Sequence, residues 1–383
     1  MDDPRSAIND LHRRYCSWLL DAAYPLWSTK GVDPAGGFFE RLGQDAKPLA
    51  DKRRSRVTPR QAYCFAMGPS LGWRGDAAGL VEHGLKFWYE KFQRPDGLFR
   101  TLIHADGSVA EERAITYDHA FGLLALNLGA TLGDWRAVRE RQARDLLDTV
   151  LKLTKRPTGG FENGVPTSLP LESNPHMHLF EAALAGAEVS SETSLWKPLA
   201  DEIAEFSLAR FFDRNGLLHE FFDEQWAFAP GVPGRIVEPG HQYEWAWLLL
   251  RWAGEKHPKA RAVALKMIDL MEAHCVRDGL ALQQVLDDYS AHDASARLWP
   301  QTERLKAAAL AARMTGDSRY IAIAASACEG LWRYLETPIP GLWYDRITAD
   351  GKLVDEPAPA STFYHLVVAV AELGALARLP ESR

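Results

Sequence analysis

Cysteine is scarce in this sequence: there are four in 383 residues, at Cys16, Cys64, Cys275 and Cys328, and none forms a CxxC pair. So scattered a set excludes a disulfide framework and reads as buried free thiols of a reducing compartment. Long uncharged apolar runs are missing too. None reaches the ~18 residues that a membrane span needs, so no membrane partner is expected. The start, Met1-Asp2-Asp3-Pro4-Arg5, lacks the apolar stretch of a secretory signal. A cytoplasmic location is therefore the expectation. Basic charge is in deficit, with 44 Lys and Arg against 51 Asp and Glu and a net charge of −7, which argues against a nucleic-acid partner. The sequence has no glycine-rich phosphate loop, no dinucleotide fingerprint and no nucleophile elbow.

What is present is an ordinary globular composition, 46% hydrophobic and 25% charged, with thirteen tryptophans. Most of those rings read as core, with a minority free to stack on a sugar. A chain of this length usually divides into two or three domains, toroids and barrels being the exceptions. The order of elements points to an exception. Helical periodicity over Ile8 to Trp27 leads to the turn Gly36-Gly37 and strand-like Phe38-Phe39-Glu40, and then to a second helix from about Pro59. Helix, short β-hairpin, helix then recurs along the whole chain. The turn glycines fall at 37, 97, 160, 216, 279 and 341, with separations of 60, 63, 56, 63 and 62. Such a period signals repeat architecture. Six helix pairs without a capping repeat close most naturally on themselves. The expectation is an all-α fold, an (α/α)6 barrel of twelve helices forming one domain over residues 1–383. An open α-solenoid fits less well, because its repeats are shorter and lack hairpins.

The second helix of each pair is the more apolar, as in Ala120 to Leu128 and Trp245 to Trp252. Helices apolar nearly all round are buried, so these six should form an inner ring. Their N-termini converge at one end, where partial positive charge favours a developing anion. The unusual residues collect there: Arg60 and Gln61; Tyr117, Asp118 and His119; Asn174, His176, His178 and Glu181; His241 and Glu244; Trp299, Gln301 and Glu303; and His365.

Several of these have structural readings as good as the functional ones. His241 and Glu244 share a helix face at i,i+3, so Glu244 can orient His241 for acid/base work, or it can simply cap the helix. His178 and Glu181 repeat that spacing after Asn174-Pro175, where Asn serves as N-cap and Pro as first helical residue. His176-Met177-His178 resembles a metal pair, but i and i+2 face different ways on a helix, and no metal is expected. Asp118 reads as a cap and His119 as a structural hydrogen bonder. Arg60 reads as an anchor for an anionic or polyhydroxyl ligand, or as a salt bridge to Glu303. Trp299 is a sugar-stacking plane or core. The run Lys52-Arg53-Arg54-Ser55-Arg56 is a solvated loop, or an attractor for phosphate or sulfonate at the pocket rim.

Taken together, Arg60-Gln61-Ala62-Tyr63, Tyr117-Asp118-His119-Ala120-Phe121, Asn174-Pro175-His176-Met177-His178-Leu179-Phe180-Glu181, Pro239-Gly240-His241-Gln242-Tyr243-Glu244-Trp245, Leu298-Trp299-Pro300-Gln301-Thr302-Glu303 and Thr362-Phe363-Tyr364-His365 resemble the N-acylglucosamine 2-epimerase superfamily over essentially the whole chain. The Pro-Gly-His-x-x-Glu-Trp form is closer to its mannose isomerases. The resemblance implies an (α/α)6 barrel acting at C1 and C2 of an aldose without a redox cofactor. It implies that His241 and His365 are the main acid/base pair, with Glu244 supporting His241 and His178 beside them. It also implies that Arg60, Tyr117, Asn174, His176, Glu181, Trp299 and Glu303 line the sugar site.

The leading expectation is thus an aldose–ketose isomerase taking D-mannose to D-fructose through a cis-enediol, working as a monomer or homodimer on a small-molecule monosaccharide. A sugar 2-epimerase is the alternative, because two opposed histidines can move protons on both faces of C2. A glycoside hydrolase would need two carboxylates flanking the pocket, with Glu244 and Glu303 as candidates. A non-catalytic binding protein would not need the histidine set.

Overall fold

The computed structural model describes residues 4–379. Six helix pairs are present. The first outer helix runs through α1 (Pro4–Ser17), a π-helical stretch (Trp18–Ala23) and α2 (Tyr24–Trp27), and its inner partner is α3 (Val57–Leu71). The next two pairs are α4 (Ala77–Phe92) with α5 (Thr116–Gly129), and α6 (Arg136–Thr154) with α7 (Asn174–Val189). Then come α8 (Thr193–Arg210) with α9 (Pro239–Ala253), and α10 (Pro258–His274) with α11 (Leu298–Thr315). The last pair is α12 (Ser318–Leu335) with α13 (Ser361–Ala377).

The inner helices pack in sequence around a ring, α3 on α5, α7, α9, α11 and α13, and α13 packs back on α3. Their apolar character has the expected consequence. Every residue of α9 from Pro239 to Leu250 is buried, as is every residue of α11 from Leu298 to Ala312. The barrel expectation therefore holds, with α1 and α2 acting as one bent outer helix. The six turn glycines all have positive φ, from 69° at Gly37 to 95° at Gly341, a conformation that side chains with a Cβ rarely adopt.

The short strands also do something the sequence pattern does not reveal. They stitch neighbouring units together. Arg53–Arg54 pairs with Leu102–Ile103, Ala114–Ile115 with Gly164–Val165, and Leu171–Glu172 with Phe221–Phe222. Ile236–Val237 pairs with Val285–Leu286, and Ala296–Arg297 with Arg346–Ile347. Ala358–Pro359 then pairs with Arg41–Leu42 and closes the circle, reinforced by Ala360 N–H donating to the Glu40 carbonyl at 2.8 Å. All six pairings are antiparallel and lie where the inner helices begin, so they fix the relative positions of the six inner N-termini. Aromatic packing seals the same seam. Trp27 stacks on Trp343 at 4.7 Å, and its indole N–H donates to the Gly341 carbonyl at 3.0 Å. Such stacking is worth about 0.5–1.5 kcal/mol beyond area burial.

A second recurrent device locks four of the hairpins onto their inner helices. His119 accepts the Phe99 N–H on Nε2 at 2.9 Å and donates from Nδ1 to the Ile115 carbonyl at 2.7 Å. His176 does the same with Phe161 N–H at 2.8 Å and the Glu172 carbonyl at 3.1 Å. Gln242 bridges both backbone groups of Leu218, and Gln301 those of Ala281. His119 is thus the structural hydrogen bonder expected. Asp118 is not a cap. Its carboxylate is fully buried and takes hydrogen bonds from Arg56 at 2.9 Å and Thr101 at 2.7 Å.

Candidate active site

A cavity of about 290 Å³ opens where the inner N-termini converge. Of the residues picked from the sequence, Arg60, Tyr117, Asn174, His178, His241, Glu244, Trp299 and His365 line it. His176, Glu181 and Glu303 do not. His176 is spent on the backbone bridge just described, and burial among Phe161, Phe206, Phe211 and Trp226 lowers its pKa to about 3. It is a neutral strut, because i+2 spacing turns it away from the face that His178 shows to the cavity. Glu181 and Glu303 lie behind the histidines rather than against a ligand.

His241 sits in the first turn of α9, two residues after Pro239. Its Nδ1 lies 3.0 Å from Glu220 and 3.4 Å from Glu238. Glu244 is therefore not its orienting partner. The i+3 position points down the barrel axis, whereas Glu238, at i−3, and Glu220, on the preceding hairpin, reach the ring from the mouth side. Glu220 is held in turn by Ser173 Oγ at 2.9 Å. Burial by itself would lower the pKa of His241, but the two carboxylates overcome that and raise it to about 10. His241 is a cation at neutral pH, and Nε2–H is its free donor.

His365 is the opposite case. Its Nδ1 lies 2.8 Å from Glu303. Burial, helped by the nearby charges of Arg60 and Lys306, pushes its pKa well below the ordinary imidazole value. His365 is neutral. Its Nδ1–H donates to Glu303, and Nε2 carries the lone pair. His178 is also neutral, lowered to about 4 by burial against a partial offset from Glu181, whose carboxylate lies 3.2 Å from its Nδ1.

Beneath the three histidines lies a buried charge cluster. Lys306 Nζ is 2.5 Å from Glu303 and 3.8 Å from Glu244, over the face of Trp247. Burial, followed by repulsion from Glu303, raises the pKa of Glu244 well above its ordinary value, against a partial offset from Lys306. Glu181 takes a hydrogen bond from Tyr364. Two groups, His178–Glu181–Glu244 and Glu244–Glu303–His365, have the spacing of metal ligands. The Lys306 ammonium already stands among those carboxylates and supplies the positive charge that a cation would bring.

Trp299 lies between the two key imidazoles, its ring 5.1 Å from His241 and 5.8 Å from His365. Gly240 makes room for it, because a Cβ there would come within 2.4 Å of the indole. Arg60 donates to Tyr117 Oη and to the Ser361 carbonyl, and stacks 3.9 Å from the Phe121 ring. It has no carboxylate partner among the described residues, so the expected bridge to Glu303 is absent. The basic run is not a solvated loop either. Arg53 is buried on Asp33, Arg54 pairs with Glu40 and Arg56 with Asp118.

Sequence reasoning missed Glu220, Glu238 and Lys306. Lys306 had a signal, a single cation inside the apolar run Leu305 to Leu310, three residues after Glu303. Glu220 had one as well, two residues beyond Leu218, where Glu40 stands two beyond Phe38 in the first unit.

The sequence profile of the N-acylglucosamine 2-epimerase family matches residues 37–369. A protein of Rhizobium meliloti (strain 1021) named mannose-6-phosphate isomerase is 46% identical over 367 residues, covering 93% of this chain and 95% of the relative. A D-mannose isomerase of Thermobifida fusca is 28% identical, covering 79% of this chain and 82% of that protein. Among solved structures, a D-mannose isomerase superposes with a TM-score of 0.87 at 19% identity, over 94% of this chain and 97% of the other.

Proposed function

This chain belongs to the N-acylglucosamine 2-epimerase family, and from that premise we propose that it is an aldose–ketose isomerase converting a mannose-configured hexose to the 2-ketose. The observation that carries the reading is the split between two histidines on either side of Trp299, His241 held cationic and His365 held neutral. Titratable groups pushed in opposite directions divide into an acid and a base. The names of the relatives support a mannose-type sugar.

The chemistry follows. His241 Nε2–H protonates the ring oxygen as the C1–O5 bond breaks and O1 releases its own proton to water, and the open aldehyde results. His365 Nε2 takes the proton from C2. The C–H electrons form C1=C2 and charge moves to O1, where the unpaired guanidinium of Arg60 and the helix N-termini stabilise it. Returning the proton from His365 to C1 while O2 passes its own proton to O1 leaves a ketone at C2. The hydrogen travels as a proton throughout, so the reaction calls for no electron carrier. Glu303 and Lys306 keep His365 in the tautomer that this requires. The unpaired cysteines fit a reducing, cytoplasmic setting.

Incubation with D-mannose in D2O tests this. Fructose labelled at C1 is expected. Glucose labelled at C2, with no fructose, would instead establish the 2-epimerase alternative, with a second histidine as donor across the ring. The hydrolase alternative fares worse, since it needs two carboxyl groups at the cavity and, of its two candidates, Glu244 lines the cavity while Glu303 does not.

A further inference from the structure

We propose that the mouth of this cavity is a phosphate site, built by Arg54, Arg56 and Arg297, which takes the end of the hexose remote from C1. The proposal rests on the isomerase reading for which end of the sugar reacts, but on separate residues for its own argument.

Each of the three guanidiniums is held along one edge from behind. Arg54 Nε lies 2.8 Å from Glu40, Arg56 donates to Asp118 at 2.9 Å, and Arg297 donates to Asp345 at 2.9 Å. Glu40, Asp118 and Asp345 are buried and none lines the cavity. The opposite edges remain open. Both Nη atoms of Arg54, Nε and Nη2 of Arg56 and Nη1 of Arg297 have no hydrogen-bond partner among the described residues. The side chains are 35%, 23% and 36% exposed respectively, so these edges are reachable. A guanidinium fixed on one edge and free on the other is a preorganised fork for a phosphate.

The location fits an end group. Arg54 and Arg297 line both the cavity and a neighbouring recess of about 510 Å³. They therefore stand where the two meet, away from the buried Lys306 cluster. Of the four acids of that recess, Glu40 is paired with Arg54, Asp51 with Arg41 and Asp345 with Arg297, while Glu356 lies 3.8 Å from Arg346. Within the cavity, four arginines face two carboxylates. Of the carboxylates, Glu238 is paired to His241, and Glu244 lies 3.8 Å from the Lys306 ammonium. Arg60 alone serves the developing oxyanion. A neutral hexose would leave the open N–H edges of the other three guanidiniums without an anionic acceptor, whereas a phosphate monoester supplies one.

The test compares mannose 6-phosphate with mannose on the full chain. Wild type is expected to convert the phosphorylated sugar with the higher kcat/KM, and inorganic phosphate should compete with mannose 6-phosphate. Arg54→Gln and Arg297→Gln should each lower kcat/KM for the phosphorylated sugar roughly tenfold to a hundredfold more than for mannose, mainly through KM. Arg297→Lys should recover part of the loss by restoring charge without the fork. Thermal unfolding identifies any variant that has lost its fold. Calorimetric titration with mannose 6-phosphate gives a readout independent of turnover, with binding tighter than for mannose and weakened in both glutamine variants. Equal use and binding of the two sugars, or equal losses on both, would overturn the phosphate site while leaving the isomerase intact. Tight, arginine-dependent binding without a ketose product would do the reverse.

Discussion

Glu303 grips two partners at once, His365 Nδ1 at 2.8 Å through one oxygen and Lys306 Nζ at 2.5 Å through the other. Burial raises the Glu303 pKa and the second contact offsets part of that rise, while the first contact fixes which nitrogen of His365 bears the proton. Glu303 never meets the cavity, so it acts as a positioning residue. Glu303→Gln should lower kcat by about 10²–10⁴-fold, by analogy with other imidazoles given a wrong tautomer, with a much smaller change in KM. Steady-state kinetics on mannose checks this. A change confined to KM would assign Glu303 to sugar binding instead.

The two histidines predict an unusually broad pH profile. The acid must be protonated, and His241 loses its proton only near pH 10. The base must be neutral, and His365 gains a proton only well below 6.5. The kcat/KM curve should therefore be flat through neutrality, fall as pH rises toward 10, and fall on the acid side below the ordinary imidazole range. Glu220→Gln removes the nearest carboxylate from His241, so it should bring the alkaline limb down in pH.

Lys306→Met should destabilise the protein by about 3–5 kcal/mol at neutral pH, because it leaves buried carboxylates without their cation. The sign of the pH dependence is specific. Protonating those carboxylates removes the penalty, so the difference from wild type should shrink as pH falls. Denaturant melts at pH 8 and pH 5.5 would show it. A pH-independent loss would mean that packing against Trp247 is what matters.

His176 should be replaceable. Glutamine already performs its bridging task at Gln242 and Gln301. His176→Gln is expected to keep activity, with a threefold change at most, roughly the effect of about 0.6 kcal/mol. His176→Ala should cost about 3 kcal/mol of stability, through an emptied core and two stranded backbone groups. Loss of turnover in the folded glutamine variant would restore the catalytic reading of the His-Met-His motif.

Gly240→Ala should lower kcat sharply while leaving the fold intact, since the added methyl displaces the Trp299 ring that separates the two imidazoles. Tryptophan fluorescence would report the displacement alongside the rate.

The ring of helix pairs was legible because the turn glycines keep a long period and the inner helices lack a polar face. The stitching between units was not, since strands of two or three residues carry no periodicity of their own. His241, His178 and His365 were legible from their place at helix starts. The partner of His241 was not. Spacing on one helix offers Glu244 and Glu238 equally, and Glu220 arrives across a hairpin that local spacing cannot describe. Lys306 was hidden for a different reason. One lysine in a helix ordinarily reaches for solvent, and only the enclosure of α11 on every side makes this one internal.

The seam between Ala358–Pro359 and Arg41–Leu42 has a consequence for biosynthesis. Arg60 comes from the first unit and His365 from the sixth, yet they flank the same cavity. A nascent chain with five units translated holds His241 and most of the cavity wall but lacks His365. Contacts between units adjacent in the chain can form early on the ribosome, while the circle-closing contact spans some three hundred residues and must await the last helix. On the proposed function, activity should therefore appear only once the last unit has docked on the first, so that turnover would report closure of the circle.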